Sequence, residues 1–136
     1  MKTLLCIPGD GIGIEVTAAA RRVAEALIAR ERLAIRIDEA PMGMTALRAH
    51  GALLPEPTMR AAQAADAILF GASGGPDFDA LPRPMRRAGS VLALRQKLGL
   101  YANLRPVKPF RALVGATPFK PEIIGEVDML IVREAN

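Results

Sequence analysis

The stretch Thr3-Leu4-Leu5-Cys6-Ile7-Pro8-Gly9-Asp10-Gly11-Ile12-Gly13-Ile14 decides the fold class. Residues 3–7 form an apolar run without alternation, which is the mark of a strand buried on both faces, and such strands belong to parallel sheets. Pro8, Gly9, Asp10 and Gly11 end that strand in a turn. Beyond the turn, Val16, Ala20, Val23 and Leu27 recur at helical spacing, while Arg21, Arg22, Glu25 and Arg30 fall off that stripe. The spacing predicts an amphipathic helix over residues 14–30 with those four side chains as its apolar face.

Outward from this unit the same order repeats. Residues 34–37 read as a second short strand, residues 44–49 as a helix, and residues 51–57 as a turn region broken by Pro55 and Pro57, with Pro57 opening a helix through Ala64. Residues 66–70 read as a further buried strand ending in Gly71-Ala72-Ser73-Gly74-Gly75-Pro76. Residues 91–98 form a helix, and residues 128–132 one more apolar strand. Strands alternating with helices predict an α/β fold with a mainly parallel sheet, flanking helices and right-handed crossovers. Residues 83–89, carrying Arg83, Pro84, Arg86 and Arg87, are the least patterned segment and are expected to be a mobile loop. No internal repeat or flexible linker is visible.

Composition bounds the function. The 136 residues suit one ordinary domain with one core, and a 51% apolar share excludes a disordered chain. The one cysteine, Cys6, excludes a disulfide framework and reads as a small buried hydrophobe suited to a reducing cytoplasm. No apolar stretch reaches the roughly 18 residues that span a bilayer, and the first turn comes too early for a signal peptide. A soluble, cytoplasmic protein is expected. The net charge of +4 comes from scattered arginines with few aromatics among them, unlike a nucleic-acid stacking platform. Small anionic ligands fit it better.

Three constellations could carry chemistry. Gly9-Asp10-Gly11-Ile12-Gly13 lies between a strand and a helix, where bare backbone lets a ligand approach. It is not the classical dinucleotide fingerprint, because Ile14 stands where that spacing needs a glycine, although Asp38 partly mimics the expected acidic residue. The loop of residues 71–76 follows a strand at the carboxyl end, where open α/β sheets bind ligands. Arg95, Arg105 and Arg133 form the third set: Pro106 biases Arg105 to an extended conformation, Arg133 stands at a strand exit, and guanidinium groups grip carboxylates in two-pronged fashion. Against these stand plain alternatives: a joining turn, a flexible connection and solvated surface charges. His50 reads as a surface residue, and Asp77 and Asp79 lack the further ligands that a metal needs.

Taken in order, Pro8-Gly9-Asp10-Gly11-Ile12-Gly13-Ile14-Glu15-Val16, Leu54-Pro55-Glu56, Gly74-Gly75-Pro76, Leu94-Arg95, Tyr101-Ala102-Asn103-Leu104-Arg105-Pro106 and Ile131-Val132-Arg133-Glu134 resemble the N-terminal portion of the isocitrate and isopropylmalate dehydrogenase family across the whole chain. The resemblance implies an isopropylmalate dehydrogenase-like α/β fold, distinct from the classical Rossmann fold, over residues 1–136. It also implies homodimers that oxidise a 2-hydroxy acid with NAD or NADP and decarboxylate it with Mg²⁺ or Mn²⁺. Carried over residue by residue, it gives Arg95, Arg105 and Arg133 the carboxylates of a small dicarboxylate substrate. It gives Ile12, Gly74, Gly75, Pro76, Ala88 and Val91 the cofactor side.

The chain also departs from the family pattern. Ala88 stands where isopropylmalate enzymes usually have a glutamate near the nicotinamide. Val91 stands where an isocitrate enzyme would offer a polar group, which favours an apolar substituent on the substrate and so 3-isopropylmalate. Ser90 and Arg133-Glu134-Ala135-Asn136 lean toward the tartrate and D-malate branch. Family members are more than twice as long, and their catalytic lysine, catalytic tyrosine and metal-binding aspartates lie beyond the equivalent of Asn136. The expectation is an apparently truncated enzyme whose catalytic residues and metal ligands are absent from this chain. A non-catalytic remnant that binds a dicarboxylate or a partner subunit is the alternative.

Overall fold

The computed structural model describes residues 1–134. It divides into two compact units, Met1–Leu98 and Gly99–Asn136. The first holds strands β1 (Lys2–Gly9), β2 (Ile35–Glu39) and β3 (Ala67–Ala72) in one parallel sheet of order β2-β1-β3. Register runs from Lys2↔Ile35 to Cys6↔Glu39 on one side of β1 and from Leu4↔Ala67 to Gly9↔Ala72 on the other.

The central strand is covered on both faces, as its unbroken apolar run predicts. Leu5 and Ile7, at most 1% exposed, enter a core with Ala40, Met42, Met59, Ala62 and Leu94. Helices α3 (Glu56–Ala64) and α6 (Val91–Lys97) supply the last three of these. Cys6 alternates to the other face. There α1 (Ile12–Glu31) packs against β1 and β3, and burial pushes the Cys6 thiol above its ordinary value, as suits an inert core residue.

The stripe through which α1 packs differs from the expected one. Gly13 and Thr17 are its buried residues, whereas Val16, Val23 and Leu27 are 45%, 61% and 41% exposed. The reason is close approach. A Cβ on Gly13 would overlap the Pro8 carbonyl oxygen, and one on Gly71 would overlap that oxygen and the Thr17 hydroxyl. Only small residues fit at this helix–sheet contact, so size overrode hydrophobicity in choosing the packed face.

Three short helices complete the first unit: α2 (Met44–His50), α4 (Pro76–Asp79) and α5 (Arg83–Ala88). The last corrects the expectation of a loop over residues 83–89. Pro84 falls in the first helical turn, where its missing N–H costs nothing, and Gly89 ends the helix buried against Leu53. Ser90 then caps α6: its hydroxyl accepts from the Ala93 N–H at 3.2 Å and donates to the Arg87 carbonyl at 2.9 Å.

The second unit pairs β4 (Ala102–Val107) with β5 (Met129–Glu134) in an antiparallel ladder from Ala102↔Glu134 to Val107↔Met129. Between them lie a 3₁₀ helix (Arg111–Ala116) and α7 (Pro121–Ile124). The apolar strand read over residues 128–132 is thus present but not part of the parallel sheet, and all its residues are exposed. Ala135 and Asn136, which entered the tartrate-branch comparison, lie outside the described residues.

Candidate functional site

Strand order places the first site. The chain leaves β1 for α1 on one face of the sheet, and after β3 it passes through α4 and α5 to α6, which packs on the other. Between the carboxyl ends of β1 and β3 is therefore a topological switch point, the place where open α/β sheets hold ligands. A cleft of about 320 Å³ opens there. Asp10, Gly11 and Ile14 form one wall, Met44, Thr45 and Arg48 of α2 a second, and Gly74, Gly75, Pro76, Asp77 and Phe78 a third.

The glycines in this cleft leave the backbone bare. Gly11, Gly74 and Gly75 have φ of 54°, 110° and 126°, and a Cβ on any of them would meet nothing within 4 Å. Such φ values strain an L side chain, and the open space beyond them lets a ligand approach the backbone. Asp10, only 6% exposed, accepts from the Met44 N–H at 2.6 Å and the Gly74 N–H at 3.3 Å. Arg48 and Asp77 pair at 2.5 Å across the rim. A second cleft of about 250 Å³, at the ends of β1 and β2, is lined mainly by apolar groups and shares Ile14 and Thr45 with the first.

Of the residues expected on the cofactor side, Gly74, Gly75 and Pro76 line the switch-point cleft. Ile12 opens α1 and is 66% exposed, Ala88 ends α5 on the surface, and Val91 begins α6 half-buried. None of these three is among the lining residues. Asp38 pairs with Arg36 at 2.9 Å, and His50 is exposed. The sequence reading gave no role to Asp10, Arg48 or Phe78. Asp10 had a signal in its place between two glycines at a strand end; the other two become lining residues only through the fold.

Two of the three arginines are brought together. Asn103 stands opposite Arg133, and Arg105 opposite Ile131, so Asn103, Arg105, Ile131 and Arg133 project from one face of the β4–β5 ladder. Arg105 donates from Nε to the Asn103 Oδ1 at 3.4 Å. Neither Arg105 nor Arg133 has a carboxylate partner among the described residues, whereas Arg36 and Arg60 are paired with Asp38 and Glu56. Arg95 belongs to the first unit, half-buried on α6. No group of three His, Cys, Asp or Glu side chains among the described residues is placed to hold a metal ion, and no helix among them is long and apolar enough to cross a membrane.

A sequence profile described as isocitrate/isopropylmalate dehydrogenase matches residues 3–136. The chain belongs to the isocitrate/isopropylmalate dehydrogenase family. Among relatives of this family, the chain is 47% identical over 131 residues to 3-isopropylmalate dehydrogenase 1 of Bordetella bronchiseptica, covering 96% of this chain and 35% of that one. It is 45% identical to 3-isopropylmalate dehydrogenase of Synechococcus sp. strain CC9902, with 96% and 37% covered. Among solved structures, isocitrate dehydrogenase from Methylococcus capsulatus superimposes with a TM-score of 0.76 at 32% identity, over 99% of this chain and 35% of that one. The apo β-decarboxylating dehydrogenase of Thermococcus kodakarensis gives 0.70 at 32% identity, over 98% and 34%. The chain thus spans about a third of the length of the family members that it matches.

Proposed function

We propose that this chain supplies carboxylate-gripping arginines and part of the cofactor wall of a β-decarboxylating dehydrogenase that oxidises 3-isopropylmalate or a similar 2-hydroxy dicarboxylate with NAD or NADP. The observation that carries this reading is the pair Arg105 and Arg133 on one face of a strand ladder, free of carboxylate partners among the described residues. Two adjacent planar guanidinium groups suit a ligand with more than one carboxylate, and Arg95 is assigned to the same substrate.

The switch-point cleft suits part of a dinucleotide, since the open backbone at Gly74 and Gly75 and the apolar side chains of Ile14, Met44 and Phe78 meet there. A nicotinamide cofactor bound there would supply the hydride acceptor for oxidation of the hydroxyl-bearing carbon. The role of this chain is to orient the cofactor along the glycine loop and to hold the substrate's carboxylates. The described residues do not form a set fit for Mg²⁺ or Mn²⁺. Homodimer formation, as the family resemblance implies, is part of the same proposal.

The 136-residue chain alone is expected to reduce no NAD⁺ with 3-isopropylmalate, D-malate, tartrate or isocitrate at any Mg²⁺ concentration, because its described residues form no metal-binding set and none of them is assigned as general base. Joined to the remaining two-thirds of the Bordetella relative, it should turn over 3-isopropylmalate. In that chimera, Arg95→Lys, Arg105→Lys or Arg133→Lys keeps the charge but loses the two-pronged contact, and each should lower kcat/KM roughly ten- to a hundredfold, or about 1.5 to 3 kcal/mol. Arg36→Lys and Arg60→Lys should leave it unchanged. Equal behaviour of Arg105→Lys and Arg60→Lys in steady-state kinetics would remove the arginine assignment.

A further inference from the structure

Three loops meet at one carboxylate. Asp10 lies in the turn after β1, its backbone N–H donates to the Ala72 carbonyl at the end of β3 at 2.7 Å, and its own carbonyl accepts from the Gly13 N–H at 2.9 Å. Its side chain spans the other two carboxyl-end loops, Oδ1 taking the Met44 N–H at 2.6 Å and Oδ2 the Gly74 N–H at 3.3 Å. The fold makes room for it: a Cβ on Gly43 would overlap both carboxylate oxygens. Ionised, a carboxylate only accepts, so its two oxygens can serve both amides at once, whereas an asparagine offers one oxygen and turns an NH₂ toward the second N–H.

We propose that Asp10 is a positioning residue, whose carboxylate sets the Gly74–Gly75 backbone in its ligand-accepting conformation by tying it to the start of α2. Gly74, at φ 110°, has a conformation open to glycine among many others, and its amide tether selects that geometry before a ligand arrives. Binding then loses less ordering entropy, so the loss of the tether appears as weaker ligand affinity rather than as an unfolded protein. The inference rests on the reading of the switch-point cleft as the cofactor side, and the two are separable by experiment.

The test uses the full 136-residue chain. Amide hydrogen exchange in the unmodified protein should show the Gly74 N–H exchanging at least tenfold more slowly than that of Gly75; equal rates overturn the tether without recourse to any variant. In Asp10→Asn, Gly74 and Met44 should exchange at least tenfold faster and their amide proton resonances should move upfield, while Ile68 in the middle of β3 keeps its protection. A merely stabilising role would speed all three together. Titration with NAD⁺ followed by amide shifts should give at least a tenfold weaker Kd in Asp10→Asn, and the same Kd in both proteins overturns the positioning role. Gly74→Ala, which strains the loop while leaving Asp10 in place, should weaken NAD⁺ similarly with Met44 still protected; unchanged affinity there also counts against it. If the unmodified chain binds no NAD⁺ at millimolar concentration, the cofactor reading of the cleft fails, while the exchange rates of Gly74, Gly75 and Met44 still decide whether Asp10 holds the loop.

Discussion

The two units use similar residues to opposite effect. In Met1–Leu98 the run Leu5-Cys6-Ile7 is at most 1% exposed, whereas in Gly99–Asn136 the comparable run Leu130-Ile131-Val132 is 55%, 48% and 62% exposed. Apolar content does not separate them. What differs is the number of covered faces: β1 has a strand on each side, α1 on one face and the α3–α6 layer on the other, while β5 has one neighbouring strand. A strand's sequence states what it can bury, and its neighbours decide how much is buried.

The sharpest way to break this comparison is to shorten one side chain in each run. Ile7→Ala should lower unfolding stability by about 2 to 5 kcal/mol through lost burial and a residual cavity, while Ile131→Ala should stay within about 0.5 kcal/mol. Urea unfolding of the two variants measures both, and similar losses would mean that the β4–β5 ladder is covered in solution.

The contrast between glycines is expected to be smaller. An ordinary helical Gly→Ala change gains roughly 1 kcal/mol. At Gly13 the added methyl collides with backbone, so Gly13→Ala should instead lose about 1 to 3 kcal/mol. Gly115→Ala, with nothing within 4 Å of the new Cβ, should be close to neutral. A stabilising Gly13→Ala would show that α1 can lift from the sheet without loss.

The effect of pH should be smallest. The carboxylate of Asp66, at the start of β3, accepts from Lys2 Nζ at 2.7 Å and from the Thr3 N–H at 2.8 Å, and these bonds, the Lys2 one first, hold its pKa below the ordinary aspartate value. Its contribution is therefore complete above the unfolded-state value near 4 and is lost as pH falls through the lower folded value. Lys2, raised by the same partner, has the opposite sign and loses its contribution only as strongly alkaline pH is reached. Both side chains are well exposed, so salt should screen the effect. Comparing acid unfolding of the protein with that of Asp66→Asn checks it: the slope below pH 4 should flatten in the variant, and added salt should bring the two curves together.

Sequence was most readable where one local rule governed. The unbroken run before Pro8 announced a buried parallel strand, and the glycines after it announced a strand-to-helix turn. It failed where a distant partner chose. The packed face of α1 is set by the closeness of Pro8 and Gly71, which no periodicity reports, and α5 ends at a Gly89 seated against Leu53, more than thirty residues away. The extended segment around Arg105 became one of two paired strands only when β5 was found beside it. The same holds for the cleft. Gly74, Gly75 and Pro76 were visible as a loop after a strand, but Met44, Thr45 and Arg48 reach it from an element whose sequence carries no ligand signal.

The strand order also has a temporal consequence. Leu4 pairs with Ala67 on one side and with Ile37 on the other, so during synthesis the central strand leaves the ribosome well before its second neighbour exists. At about 5 to 20 residues per second, the roughly sixty residues between β1 and β3 take on the order of 3 to 12 s to make. For that interval Leu5, Cys6 and Ile7 have at least one open edge and an incomplete cover, which leaves β1 in need of protection from other chains.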